Sequence, residues 1–387
     1  MAGGVEEQVK TIDRTVLTPL VRRALGHESV EIGEWRHQPI IGGAEMASSL
    51  YRFSGDALAA GETIPWTLIL KIIPSPPGGS GDPQGLRYWK REALAYQSGL
   101  LNDLPGGLAA PRCYEATEHP DGAYWIWMED IRDEVGEKWP LEHYGTVARC
   151  LGQFNGTYLA GKPLPDHAWL ARRWLRKYVE NAAPGVELMI NSMNHPLIRR
   201  AVPGRTPEFI RRVWEERHAI LEVIECLPQT FCHLDAFPRN LFSRCTADGR
   251  DQVVAVDWSY MGIASVGEEI APLVGASIGF YAVMPADALR LEQIVLEGYL
   301  EGLQDAGWQD NPDLVRFSYA ATTYWRYVIG GFGGEMVPWL LDERYHAAVE
   351  QILGHSVEEL TDYYGSASNF YEHFYEMAHR LRAALGR

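Results

Sequence analysis

The stretch Thr230 to Asp257, TFCHLDAFPRNLFSRCTADGRDQVVAVD, constrains this chain more than any other. Asn-Leu-Phe-Ser-Arg and Gln-Val-Val-Ala-Val-Asp alternate toward strand on either side of Asp248-Gly249. Asp-Gly is a strong hairpin signal, because it supplies the positive φ angles that a two-residue turn demands. With those two residues as the turn, opposed positions have numbers that sum to 497, so Asn240 and Asp257 face each other across the ladder. Their β-carbons would then lie roughly 5 Å apart. That spacing lets them share one Mg²⁺, a hard cation that takes one or two protein oxygens beside phosphates and water. Asp235 lies five residues before Asn240 and outside the hairpin, free to address a hydroxyl nucleophile.

His233-Leu234-Asp235-Ala236-Phe237-Pro238-Arg239-Asn240 has the H-x-D-x-x-x-x-N spacing of a kinase catalytic loop, and Val256-Asp257-Trp258 stands where the second metal-ligand motif follows. In these motifs the chain resembles the aminoglycoside phosphotransferase and choline kinase family, the small-molecule branch of the protein-kinase-like fold. The resemblance implies an α+β two-lobe fold, with a small N-lobe of antiparallel sheet plus helix and a larger, mainly helical C-lobe. It also implies ATP and Mg²⁺ as cofactors, Asp235 as the catalytic aspartate, and Asn240 and Asp257 as the metal ligands. Gly267-Glu268-Glu269-Ile270-Ala271 resembles the family's G-x-D-L-A segment, with Glu269 where aspartate is usual. Leu234 stands where the family more often has glycine. The resemblance covers Val30 to Ala271.

Upstream lie the other parts of a nucleotide site, in order. Val30 to Ile40 reads as a strand, Ile41 to Ser49 as a small-residue loop, and Leu50 to Phe53 as the next strand. Gly42, Gly43 and Ser48 would let backbone N–H groups approach phosphate oxygens. Trp66 to Ile73 is an apolar strand with Lys71 inside it, and such a lysine is costly unless paired. Its expected partner is Glu92, in a helix from Tyr88 to Leu101 where Tyr88, Ala95, Tyr96 and Gly99 share the glutamate's face. The resemblance makes this the kinase Lys–Glu pair, with Lys71 on the α- and β-phosphates. Ala123 to Ile131 is a strand that turns acidic at its end. By resemblance it is the hinge between lobes, with adenine read by the Glu129 carbonyl and the Ile131 N–H and with Met128 behind the ring. GTP stays open beside ATP, since backbone groups do the reading.

At 387 residues and 46% hydrophobic content the chain can bury a sizeable core in two lobes, an N-lobe over residues 1–130 and a C-lobe over 131–387. Arg14 to Ala24 reads as a leading helix. Pro74 to Gly81 reads as a flexible insertion, and Thr206-Pro207-Glu208 as the opening of a helix toward Cys226. No secretory pattern opens the chain, and the longest uncharged run, Ile270 to Ala286, holds two prolines and reads as a buried helix rather than a span. Five scattered cysteines without C-x-x-C spacing suit a reducing cytoplasm. Walker, H-E-x-x-H and G-x-S-x-G motifs are missing, which argues against P-loop kinases, zincins and α/β-hydrolases. Ten residues separate Asp257 from the Gly267 segment, too few for the peptide-docking segment of a protein kinase.

Charge is uneven. From Asp257 to Arg387 there are nineteen Asp and Glu against seven Arg and no Lys, a balance of −12 within the chain's −16. An acidic C-terminal third would attract a cationic acceptor, such as an aminoglycoside, amino alcohol or amino sugar, and repel nucleic acid. Tyr324, Trp325, Tyr327, Trp339, Tyr363, Tyr364 and Tyr371 fall in that third; aromatic rings of this kind can stack on a sugar or enclose an amine, though most read as helix-packing residues. Gly330-Gly331-Phe332-Gly333-Gly334 lacks a following Lys or Ser/Thr and reads as a helix break or mobile pocket loop. The expected function is ATP- and Mg²⁺-dependent phosphorylation of a hydroxyl on a small molecule, in a chain that neither enters membranes nor binds nucleic acid. A catalytically silent kinase-like binder is the alternative, and oligomeric state stays open.

Overall fold

The computed structural model describes residues 2–40, 49–76, 81–136, 138–246, 249 and 251–386. Two helices lead, α1 (Ala2–Lys10) and α2 (Arg14–Leu25). Asp13 caps α2 by accepting from the amides of Thr15 and Val16, and Gly26 ends it at φ 66°. Three long strands follow, β1 (Glu31–Ile40), β2 (Ser49–Ala59) and β3 (Glu62–Ile73). Then come helix α3 (Arg91–Gln97), β4 (Leu108–Ala109), β5 (Cys113–Glu118) and β6 (Tyr124–Met128). The five-stranded sheet has the order β1-β2-β3-β6-β5, antiparallel throughout.

Strand alternation gives this sheet two buried faces. Phe53, Leu68, Leu70 and Ile72 pack with Leu17, Leu20 and Val21 of α2. Ile69, Ile73, Ile126 and Met128 point the other way and join Ala93, Ala95 and Tyr96 of α3 in one core that continues into the helical lobe. Helix α3 is shorter than the Tyr88–Leu101 helix expected from sequence. The Arg91 amide reaches the Tyr88 carbonyl as a turn, and Gly99 at φ 75° ends the segment.

The C-lobe begins with α4 (Leu141–Leu159), β7 (Ala171–Arg172), α5 (Trp174–Asn181), α6 (Ala183–Asn191), α7 (Pro196–Ala201) and α8 (Pro207–Glu225). Thr206 caps α8 through the Phe209 amide, as the sequence suggests. β8 (Gln229–Cys232), β9 (Leu241–Cys245), β10 (Asp251–Ala255) and β11 (Gly262–Ser265) carry the short central ladders. After them come α9 (Ala271–Gly279), α10 (Ala288–Asp305), α11 (Pro312–Thr323), a π-helical run Tyr324–Met336, α12 (Val337–Leu341), α13 (His346–Leu353) and α14 (Val357–Ala384). Helices α4 and α10 cross at backbone contact. A Cβ on Gly152 would lie 2.2 Å from the Tyr299 carbonyl oxygen, and one on Gly302 would lie 2.0 Å from that of Arg149. The two-lobe α+β architecture is therefore the one expected.

Two local expectations fail and a third is met in part. The β9–β10 register sums to 496, with Leu241 opposite Ala255 and Cys245 opposite Asp251, so Asn240 faces Val256 and not Asp257. A five-residue connection, 246–250, replaces the two-residue turn, and an odd loop length shifts the pairing by one. Gly249 there closes on the Thr246 carbonyl, while Asp248 lies outside the described residues. The uncharged run 270–286 forms the expected buried helix over Ala271–Gly279, but Tyr281 at φ 62° then turns the chain, so that helix stops short of the run's end. Gly330 to Gly334 form no break or loop. They lie inside the π-helical run, where a Cβ on Gly330 would meet the Tyr178 ring at 2.4 Å and one on Gly334 would meet Ala182 at 2.4 Å. These glycines are a seam that lets α5 and α6 approach.

Candidate active site

Lys71 sits within β3, opposite Leu50 of β2 and Ile126 of β6, on the sheet face that looks toward the C-lobe. Its Nζ lies 2.5 Å from Glu92 Oε2 and 3.0 Å from Asp257 Oδ1. Burial works against the ammonium, but Asp257 and Glu92 outweigh it and hold Lys71 above the usual lysine pKa. Glu92 is fully enclosed and its pKa is raised by burial. Partial desolvation works against the Asp257 carboxylate, but the Lys71 ammonium against it wins and holds its pKa down. The Asp257 side chain is 42% exposed against 2% for Glu92, so only the aspartate is open to a ligand.

The loop after β8 is pinned from beneath. Asn155 of α4 donates to the Phe231 carbonyl at 2.8 Å and accepts from Tyr299 Oη at 2.7 Å, which ties the α4–α10 crossing to the strand that delivers the loop. His233 is buried, and desolvation pushes its imidazole down to about 4, so it is neutral. Its Nε2–H donates to the Val256 carbonyl at 2.9 Å while Nδ1 accepts the Asp235 N–H at 3.2 Å. The ring therefore couples the Asp235 segment to the Asp257 segment. Glu269, in the family's aspartate position, accepts the His233 N–H at 2.8 Å and supports the same loop. Burial pushes both Glu268 and Glu269 up to about 7.

Leu234 at φ 66° and Asp257 at φ 60° occupy left-handed backbone that disfavours side chains. Glycine would adopt either conformation freely. The turn Pro238–Asn240 returns the Asn240 side chain toward Asp235, where its Nδ2 donates to the Asp235 carbonyl at 3.0 Å and to Oδ2 at 2.9 Å. With Nδ2 committed, Asn240 Oδ1 is the atom left to meet a cation. Asn240 and Asp257 supply only oxygens, a donor set that suits Mg²⁺.

The segment after β6 is fastened to both lobes. Met128 ends β6 opposite Ile69. Glu129 accepts from Arg244 of β9 at 2.7 Å, and Asp130 pairs with Arg52 of β2 through two bonds of 2.8 and 3.0 Å. Among the described residues no backbone hydrogen bond takes up the Glu129 carbonyl or the Ile131 amide. Gly42, Gly43 and Ser48 lie outside the described residues.

Two arginines went unnoticed in the sequence. Arg91, next to Glu92, is fully buried and donates to the carbonyls of Trp169 at 2.8 Å, Ser259 at 2.7 Å and Gly85 at 2.6 Å. Burial lowers its pKa to about 10. Arg326, in the π-helical run, reaches Asp235 Oδ1 at 2.8 Å. Nothing in spacing marks either one, since their partners are backbone carbonyls and a carboxylate 91 positions away.

Residues 60–309 match the profile of the phosphotransferase enzyme family. The chain belongs to that family. Among solved structures, the amicoumacin kinase hAmiN in complex with AMP-PNP, Ca²⁺ and Ami is similar at 14% identity and a TM-score of 0.51, over 92% of this chain and 96% of that one. Choline kinase from Cryptosporidium parvum Iowa II is similar at 14% identity and a TM-score of 0.49, over 96% and 97% of the two chains. No curated protein sequence gives a significant match. The phosphotransferase thus has a kinase-like fold, and none of its described helices is long and apolar enough to cross a membrane.

Proposed function

We propose that this phosphotransferase transfers the γ-phosphoryl group of ATP, with Mg²⁺, to a hydroxyl of a small and cationic acceptor. The observation that carries the reading is the meeting of β3, α3 and the segment after β10 in the Lys71–Glu92–Asp257 cluster, beside an Asp235–Asn240 pair. Lys71 steadies the α- and β-phosphates and Glu92 keeps its ammonium in place. Asn240 and Asp257 would hold Mg²⁺, which when bound neutralises charge on the phosphate oxygens. Asp235 accepts the hydrogen bond of the acceptor hydroxyl. Because phosphoryl transfer passes through a loose transition state, alignment and charge neutralisation supply most of the catalysis.

Adenine would lie against the apolar side of the sheet that carries Lys71, bounded by Leu50, Ile69 and Met128, with the Glu129 carbonyl and Ile131 amide along its edge. GTP would fit the same backbone groups. Gly42, Gly43 and Ser48 would cover the phosphates. In this reading an N-lobe of residues 1–130 and a C-lobe of 131–387 close around the nucleotide. A cavity of about 40 Å³ on the C-lobe side is walled by Tyr324, Tyr327, Phe332, Tyr364 and Tyr371 together with the Arg205–Glu372 ion pair, and its aromatic lining, with the acidic balance of residues 257–387, supports an amine-bearing acceptor. The acidic balance disfavours nucleic acid, and the free thiols suit the cytoplasm. The test is Asp235→Asn: turnover of ATP with an amine-bearing alcohol or sugar should fall by about 10³-fold or more while ATP binding persists. Unchanged turnover would remove Asp235 from its role, and a wild type that binds no nucleotide would favour a silent binder.

A further inference from the structure

Asp235 is held on both oxygens by donors of different origin. Asn240 takes Oδ2 from within the loop, and Arg326 takes Oδ1 from a π-helical run far along the chain. The same guanidinium donates to the carbonyl of Leu234, the residue whose φ of 66° strains the loop. Arg326 is 6% exposed, and Asp235 is the only carboxylate within ion-pair distance of it among the described residues. Its other surfaces are aromatic. Its guanidinium carbon lies 4.4 Å from the ring centroid of Trp174, at the start of α5, and 5.3 Å from that of Tyr327. A fork wedged between rings and bonded at two points has one orientation open to it.

The glycine seam makes this reach possible. With Gly330 under the Tyr178 ring and Gly334 against Ala182, α5 and α6 come close enough for Trp174 to flank a side chain of the π-helical run. Wide π turns recur near functional sites, and here the turn directs Arg326 into the loop. An isolated guanidinium is costly to bury, so filling space alone would be better done by an apolar side chain.

We infer that Arg326 is a positioning residue for phosphoryl transfer: its two donors clamp the Asp235 carboxylate and the strained Leu234 peptide in the one orientation that meets the acceptor hydroxyl. This rests on the proposed role of Asp235. The clamp also explains how Leu234 is tolerated where a glycine would relax the loop, since the carbonyl of the strained peptide is bonded to a buried cation.

The experiment uses the full chain with Mg²⁺ and radiolabelled ATP, water serving as acceptor, in wild type, Arg326→Gln, Arg326→Lys, Asp235→Asn and the Asp235→Asn/Arg326→Gln double variant. Loss of the clamp should lower kcat about 10²-fold, the cost of a misplacement of about 1 Å, with KM for ATP within about twofold. Arg326→Lys, which keeps charge but not the fork, should recover part of that loss. In the Asp235→Asn background, Arg326→Gln should change kcat less than about twofold, because the group it positions is already gone. A role confined to packing would lower kcat equally in both backgrounds, and that result overturns the proposal. So does a kcat within twofold of wild type in Arg326→Gln. If Arg326→Gln does not fold, Arg326→Lys decides: full activity overturns the clamp, and a reduced kcat with unchanged KM sustains it. A wild type that neither binds nor hydrolyses ATP would instead bring down the phosphotransferase mechanism on which the clamp depends.

Discussion

Glu269 offers a test that reads stability and needs no substrate. Its carboxyl is fully buried against the His233–Asn240 loop, and desolvation raises it from 4.5 to about 7. In the folded chain it therefore keeps its proton through a window in which the unfolded chain has released it. Stability from this group is fully present below about 4.5 and is lost as pH rises toward 7. A displacement of about 2.5 units at about 1.36 kcal/mol each amounts to roughly 3 kcal/mol. With an unfolding entropy of about 2.1 cal/mol/K per residue, 387 residues give about 0.8 kcal/mol/K, so the loss is worth about 4 °C in Tm. Glu269→Gln keeps an acceptor for the His233 N–H and cannot ionise, so it should escape this loss. Melting wild type and Glu269→Gln side by side from pH 5 to 8 isolates the effect. His233, pushed down to about 4, opposes it in both proteins, adding stability as pH rises from about 4 to 6.5, and it cancels in the difference. Part of the loss precedes pH 5, so the variant should gain about 3 °C on wild type between pH 5 and pH 8. Parallel curves would refute a protonated Glu269.

Three further outcomes are open to direct measurement. ATP at a hundred times its Kd should raise Tm by about 3 °C, from about 2.7 kcal/mol of linkage, and the Mg²⁺-dependent part of that shift should vanish in Asp257→Asn; a shift that persists would remove Asp257 from the metal site. Arg91→Met should strand the carbonyls of Trp169, Ser259 and Gly85, at about 1–3 kcal/mol each before the relief of an unburied charge, and should raise KM for ATP as Glu92 loosens; an unchanged KM would detach Arg91 from the Lys71–Glu92 pair. Gly302→Ala should cost about 1–3 kcal/mol by pressing a methyl onto the Arg149 carbonyl, seen as a Tm lower by a few degrees, whereas an unchanged Tm would mean that α4 and α10 separate at little cost.

Legibility followed the range of the interaction. The Asp235 loop, the Asp257 segment and the strand bearing Lys71 are local patterns, so motif spacing located them, and the burial of Lys71 led to Glu92. The Asn240–Asp257 register came out one residue off because turn composition indicates that a hairpin forms but not how many residues its loop takes, and a single residue reverses every facing pair. The glycines at 330–334 carry a packing message that looks the same in sequence as a break, since both need the absence of a side chain. Arg326 and Arg91 were invisible for a stronger reason. An arginine that bonds backbone carbonyls or a remote carboxylate has no periodic neighbour to betray it, and composition assigns it to the surface.

The Arg91 contacts bear on how this enzyme is controlled. In protein kinases the lysine–glutamate pair is made and broken by displacing the helix that carries the glutamate, and activity follows that displacement. Here the neighbour of Glu92 is bolted to carbonyls on the far side of the cleft, one of them two residues beyond Asp257, and α3 shares the continuous core of the larger lobe. Swinging that helix outward would drag a desolvated guanidinium away from the Trp169 and Ser259 carbonyls that compensate it. The device that makes a signalling kinase responsive is thereby welded shut, and output should track the supply of nucleotide and acceptor and the amount of enzyme made.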